Sequence, residues 1–93
     1  MPIDCVEFCK ALADETRQKI LVMLLEREMP VGDIVDAFTM SQPTISHHLN
    51  VLKRFHLVTS RKEGQQVFYA INHDNVVACC GQLVAMFDAQ EGC

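Results

Sequence analysis

Apolar positions recur along the first half of the chain with the spacing of helices. Cys5, Phe8, Cys9 and Leu12 fall at i, i+3, i+4 and i+7, the stripe of a short amphipathic helix. Asp14 follows as a cap for a second helix, with Glu15 in its first turn, where the helix dipole favours negative charge. That helix is expected to bury Ile20, Leu21, Leu24 and Leu25 and to end near Glu28, before Pro30. Val31, Ile34, Val35 and Phe38 repeat the spacing in a third, short helix, and Thr39-Met40 makes a tight connection. Ser41 then caps a fourth helix, since its hydroxyl can accept from the Thr44 amide. Pro43 sits in the first turn, where its missing amide proton costs nothing. The helix is expected to run to about Phe55 with Ile45, Leu49 and Leu52 inward.

Beyond His56 the period changes from helix to strand. Val58-Thr59-Ser60-Arg61-Lys62-Glu63 and Val67-Phe68-Tyr69-Ala70-Ile71 are β-prone runs separated by Gly64-Gln65-Gln66, the pattern of a hairpin. A last helix begins around His73-Asp74, with His73 in its cap region. From Val76 to Phe87 its only polar side chain is Gln82, so it is apolar on every side. A domain this small cannot bury such a helix alone, which predicts a second subunit against it. Gly81 in its middle costs about 1 kcal/mol relative to alanine, tolerable where a partner helix approaches closely.

The order α-α-α-α-β-β-α predicts a mainly helical winged helix-turn-helix with a small β-hairpin. In that architecture the second helix of the pair enters the major groove and the wing rests on the backbone or the minor groove. Gln42, Thr44, Ser46, His47 and His48 are expected on the solvent-facing side of the fourth helix, all short or planar hydrogen-bonding groups with no carboxylate among them. Glutamine can pair with adenine through two hydrogen bonds, and serine, threonine and histidine can reach base edges or phosphates. Lys53 and Arg54 close the helix, while Arg61, Lys62 and Gln65 arm the wing. An ordinary solvated polar face is the plainer alternative, but such faces usually mix in aspartate or glutamate.

Composition narrows the setting. At 93 residues the chain makes one domain, 1–93, with no internal repeat or linker. A domain this size buries only roughly 60% of its unfolded surface, and it leaves no room for a Rossmann unit or a multi-domain enzyme. No apolar run approaches the ~20 residues of a membrane span, and Met1-Pro2-Ile3-Asp4 lacks a secretory signal, so a cytoplasmic protein is expected. The net charge of −4 is unevenly spread. Residues 41–66 carry Lys53, Arg54, Arg61 and Lys62 against Glu63 alone, between two acidic stretches. One basic face is the asymmetry expected of a surface that meets phosphate.

These motifs resemble a known family. Ala11-Leu12-Ala13-Asp14-Glu15-Thr16-Arg17 followed by Ile20-Leu21, and Ser41-Gln42-Pro43-Thr44-Ile45-Ser46-His47-His48-Leu49 followed by Leu52, look like the ArsR/SmtB winged-helix repressors. Leu57-Val58 leading into Arg61-Lys62-Glu63-Gly64-Gln65-Gln66-Val67-Phe68-Tyr69 resembles the family's wing. The resemblance implies a DNA-binding repressor rather than an enzyme, a homodimer paired through its first and last helices. It implies double-stranded DNA with a palindromic operator as partner, and release when an effector, often a metal or metalloid ion, binds. DNA-facing roles carry over to Gln42, Ser46 and His47, and more loosely to Thr44 and His48. Two familiar effector sites do not carry over. The family's Cys-Val-Cys element would fall in Glu28-Met29-Pro30-Val31-Gly32-Asp33, which has no thiol, and Met86 and Ala89 stand where later zinc ligands on the last helix would fall.

Five cysteines remain as candidate ligands: Cys5, Cys9, Cys79, Cys80 and Cys93. An odd count without a secretory signal argues for reduced thiols or metal ligands over a disulfide scaffold. Cys5 and Cys9 lie four apart on one helical face. Cys79 and Cys80 point about 100° apart on a helix, so a shared ion needs local distortion or a ligand from another element. Thiolate sets select soft ions, which favours trivalent arsenic or antimony as effector, then cadmium, lead or mercury. No cofactor is expected to be needed for folding. Three alternatives stand beside this reading: cysteines that are simply core, a repressor switched by thiol oxidation or persulfide formation, and a winged helix used only to bind other proteins.

Overall fold

The expected capping residues start the two longest helices among the described residues. In the computed structural model, which describes residues 5–78, α1 spans Cys5–Leu12 and α2 spans Glu15–Glu26. The Asp14 side chain accepts from the Arg17 amide at 3.0 Å, satisfying an amide that the helix leaves open at its first turn. After α3 (Val31–Asp36) comes α4 (Gln42–Arg54), where the Ser41 hydroxyl accepts from the Thr44 amide at 3.4 Å and pairs with the Thr44 hydroxyl at 3.0 Å. Residues 73–78 are helical as well, and Asn72 is their cap, accepting from the Asn75 amide at 3.4 Å. The remainder of the expected last helix lies outside the described residues, and with it Cys79, Cys80 and Cys93.

One strand is added to the expected α-α-α-α-β-β-α order, and the hairpin turn differs from expectation. A two-residue strand, β1 (Met29–Pro30), precedes α3 and makes the sheet three-stranded, in the order β1-β3-β2 with both pairs antiparallel. Two residues with no alternation give no strand signal, and proline is tolerated there because β1 is an edge. The hairpin turn is also tighter than expected. β2 (Val58–Glu63) and β3 (Gln66–Ile71) pair from Val58↔Ile71 to Glu63↔Gln66, leaving Gly64-Gln65 as a two-residue loop. Gly64 has φ +62° while Gln65 does not enter the left-handed region, the pattern of a type II′ turn with glycine first.

The core joins every helix to the sheet. Phe8 and Ala11 of α1 meet Ile20, Leu21 and Leu24 of α2, Met29, Ile34, then Ile45, Leu49 and Leu52 of α4, with Leu57 and Val58 closing it. Fully burying a side chain of this kind contributes about 1.5–3 kcal/mol. Leu25 does not join them. It is 54% exposed on α2, beside Val22 at 63%, and both border a groove of about 290 Å³ with Leu12, Leu21, Ile71 and Val76. Expecting Leu25 inward over-extended the apolar stripe by one position. Among the described residues no helix is long and apolar enough to cross a membrane.

Candidate nucleic-acid interface

The inner stripe of α4 fixes what its outer face can present. With Ile45, Leu49 and Leu52 all at 0% exposure, the 3.6-residue period turns Gln42, Thr44, His47, Asn50, Lys53 and Arg54 to solvent, with Ser46 half-buried beside them. No aspartate or glutamate interrupts this face. Asn50 was not singled out from the sequence, yet it lies three residues from His47 and four from Ser46 on the same exposed side, a spacing that would have found it. Arg54 lies over the Phe55 ring at 5.5 Å from its centroid.

His48 is placed differently from its neighbours. Its side chain is 14% exposed, with Nδ1 at 3.3 Å from an Arg17 guanidinium nitrogen and 4.0 Å from Asp14 Oδ1. Sequence reasoning grouped it with the DNA-facing residues; the structure turns it back toward the start of α2. The same guanidinium donates through Nε to the Ala11 carbonyl at 2.5 Å and through its other terminal nitrogen to the Lys10 carbonyl at 3.4 Å. The Gln18 amide donates to the Leu12 carbonyl at 2.8 Å. These carbonyls belong to the last turn of α1, where helical partners run out, and the Lys10 carbonyl also accepts from the Ala13 amide at 3.2 Å. Asp14 is held below the ordinary carboxylate range, chiefly by the hydrogen bond from the Arg17 backbone amide; burial opposes this, and the charge of Arg17 adds a smaller lowering.

The C-terminus of α4 is closed by its own backbone. The Leu57 amide donates to the Leu52 carbonyl at 2.9 Å and the His56 amide to the Lys53 carbonyl at 3.1 Å, a Schellman motif with His56 at φ 64°. Glycine is the usual occupant of that position. The His56 carbonyl accepts from the Asn75 side chain at 2.9 Å, tying the end of α4 to residues 73–78. His56 is thus a structural residue in the turn between recognition helix and wing.

In the wing, Lys62, Gln65 and Arg61 are all exposed, and of the three only Arg61 is engaged in ion pairs among the described residues. It donates to both Glu28 oxygens, at 2.9 and 2.5 Å, and to the Glu63 carboxylate, and its guanidinium lies 4.6 Å from the Phe68 ring centroid. The hydrogen bond from Arg61 holds Glu28 below the ordinary carboxylate range, and the two carboxylates push Arg61 upward. Burial pushes the Tyr69 phenol up. Of the candidate thiols, Cys9 is half-buried and unbonded to another sulfur, packed against the core from α1, and Cys5 begins that helix. Among the described residues no group of three histidine, cysteine or carboxylate side chains is arranged to hold a metal ion.

A helix-turn-helix whose second helix shows a carboxylate-free polar face, followed by a basic hairpin, defines a winged-helix DNA-binding domain. The family model for bacterial regulatory proteins of the arsR family matches residues 14–60, from the α2 cap into the wing. The chain is 44% identical over 63 residues to the transcriptional repressor SdpR of Bacillus subtilis, covering 68% of this chain and 70% of that protein. It is 42% identical over 64 residues to the arsenical resistance operon repressor of Staphylococcus aureus, covering 69% of this chain and 62% of that one. The solved structure of HlyU from Vibrio cholerae N16961 superposes with a TM-score of 0.74 at 40% identity, covering 88% of this chain and 89% of HlyU. A structure of reduced HlyU gives a TM-score of 0.73 at 40% identity, over 88% and 86% of the two chains. The protein belongs to the ArsR family of DNA-binding transcriptional regulators, which are not enzymes.

Proposed function

We propose that the protein is a homodimeric repressor that holds a palindromic operator in its reduced, ion-free state and releases it when cysteine thiols capture a soft ion, trivalent arsenic or antimony first. The observation that carries the DNA-binding part is the exposed face of α4, polar from Gln42 to Arg54 and without a carboxylate. Gln42, Thr44, Ser46 and His47 reach base edges, and Lys53 with Lys62 and Gln65 of the wing meets the phosphates. The exposed apolar residues Val22, Leu25 and Val77 support pairing with a second copy.

For the effector, support comes from the thiols and from the likeness to an arsenical resistance operon repressor. Cys5 and Cys9 stand one turn apart on α1, and Cys79-Cys80 and Cys93 follow later in the chain. Soft trivalent ions favour such all-sulfur sets over harder ligands. Ion capture across the dimer would reset the spacing of the two α4 helices, a coupling typically of about 1–3 kcal/mol.

A second reading, release by thiol oxidation or persulfide formation, is favoured by the likeness to a protein whose structure has been solved in a reduced form. One titration separates the two. Reduced protein bound to fluorescent duplex from its own upstream region is challenged with arsenite, antimonite, cadmium, zinc and peroxide in turn. Release by arsenite or antimonite near stoichiometry, lost in the Cys79→Ser/Cys80→Ser variant, supports the ion sensor. Release by peroxide alone supports the redox switch, and release by none leaves a constitutive binder whose cysteines are core.

A further inference from the structure

The sheet register and the pleat place the two basic residues of the wing on opposite faces. Successive residues of a strand point to opposite sides. Val58, buried, marks the core face of β2, which Ser60 and Lys62 share; Tyr69 and Ile71, paired with Ser60 and Val58, pack on the same core. Arg61 therefore belongs to the outer face, with its cross-strand partner Phe68 and, one strand further, Pro30. From the outermost strand its guanidinium passes over the Phe68 ring and reaches Glu28, just ahead of β1. That is a span of two inter-strand spacings, about 10 Å. Lys62, on the other face, makes no ion pair among the described residues.

Resting on the DNA-binding reading, we infer that Arg61 is a positioning residue and makes no phosphate contact. It straps the wing to the segment before β1 through Glu28, and so sets the angle at which Lys62 and Gln65 meet the backbone. The bidentate geometry is the reason for arginine there: its planar fork matches both carboxylate oxygens while its face lies on the phenylalanine, and a lysine could do only one of these. Glu63, two residues on along β2, occupies a further guanidinium nitrogen. With three of its five N–H groups taken and two carboxylates beside its single positive charge, Arg61 holds little attraction for a third anion.

Salt dependence separates a strap from a phosphate contact, because each neutralised phosphate contributes about 0.9 to the slope of log K against log[salt]. Fluorescence anisotropy of a fluorescein-labelled mixed-sequence duplex, titrated across a range of salt concentrations, reads that slope directly. Lys62→Gln is expected to lower the slope by about 0.9 per bound domain. Arg61→Gln and Glu28→Gln are each expected to weaken binding about three- to ten-fold at every salt concentration, on parallel lines.

Circular dichroism melting confirms that each variant is folded, and Glu28→Gln keeps the test alive where Arg61→Gln does not fold. An Arg61→Gln slope reduced like that of Lys62→Gln overturns the inference alone, as does unchanged affinity. Tighter binding with a steeper slope in Glu28→Gln overturns it too, since Glu28 would then be withholding a phosphate contact. Absence of salt-dependent binding by the unsubstituted protein sinks the DNA-binding reading and this inference together.

Discussion

Arg17 reaches His48 across 31 residues of sequence, its guanidinium nitrogen 3.3 Å from the imidazole Nδ1. The arginine sits in the first turn of α2 and the histidine in the middle of the recognition helix. Because the same guanidinium also closes the end of α1 at the Ala11 and Lys10 carbonyls, one side chain joins three helices. An Arg17→Ala substitution leaves two carbonyls and an imidazole nitrogen without this donor. It is expected to cost about 1–3 kcal/mol in urea denaturation.

Neighbouring histidines are expected to fail differently. His47→Ala removes an exposed group and should weaken operator binding while leaving the melting temperature nearly unchanged. His48→Ala should lower stability by about 1 kcal/mol, and it should show coupling with Arg17→Ala in a double-mutant cycle. Equal effects of the two on stability would contradict the inward placement of His48.

Asp14 links the fold to acid. Its folded-state pKa lies below the ordinary value, so its contribution is fully present above the unfolded carboxylate pKa of about 3.9. That contribution is lost as pH falls through the lower, folded value. Replacing Asp14 with alanine removes the cap and should cost about 1 kcal/mol at neutral pH. Denaturation curves of Asp14→Asn, measured between neutral pH and pH 3, should show a shallower acid loss than the parent protein.

His56 holds a left-handed backbone at a position glycine fills without strain. His56→Gly keeps both Schellman hydrogen bonds and should stabilise the domain by about 0.5–1 kcal/mol. Thermal melting measures the gain. DNA affinity should stay as it was, since the residue closes a helix and faces no base in the proposed mode.

Asn50 offers the most direct test of the recognition face. An asparagine at that position can pair with adenine through two hydrogen bonds, worth about 1–3 kcal/mol of discrimination. Asn50→Ala should therefore reduce cognate operator affinity about 5- to 150-fold with little change in binding to unrelated duplex. Leu49→Ala, one position inward, should instead destabilise by about 2–5 kcal/mol, because that side chain is fully buried.

The elements legible in the sequence were those that repeat a period. Ile45, Leu49 and Leu52 announce α4, and Asp14 and Ser41 announce where helices begin, because a cap is a local device between residues three apart. β1 was invisible, since its two residues pair only with Tyr69 and Phe68 some forty positions away. The same non-locality explains the site. Exposure of Gln42, Thr44, His47 and Lys53 follows from helical phase, but the engagement of His48 by Arg17 and of Arg61 by Glu28 depends on contacts that no spacing rule encodes. The thiols were countable, and only Cys5 and Cys9, sharing α1, have their backbone placed among the described residues.

The short pairing of Met29 and Pro30 with β3 has a mechanical meaning. It stitches the wing to the peptide that feeds α3, so the hairpin cannot tilt without dragging the helix-turn-helix along. In the proposed dimer each domain should then move as a single tile, and control of DNA binding would be exerted by how the two tiles are set apart.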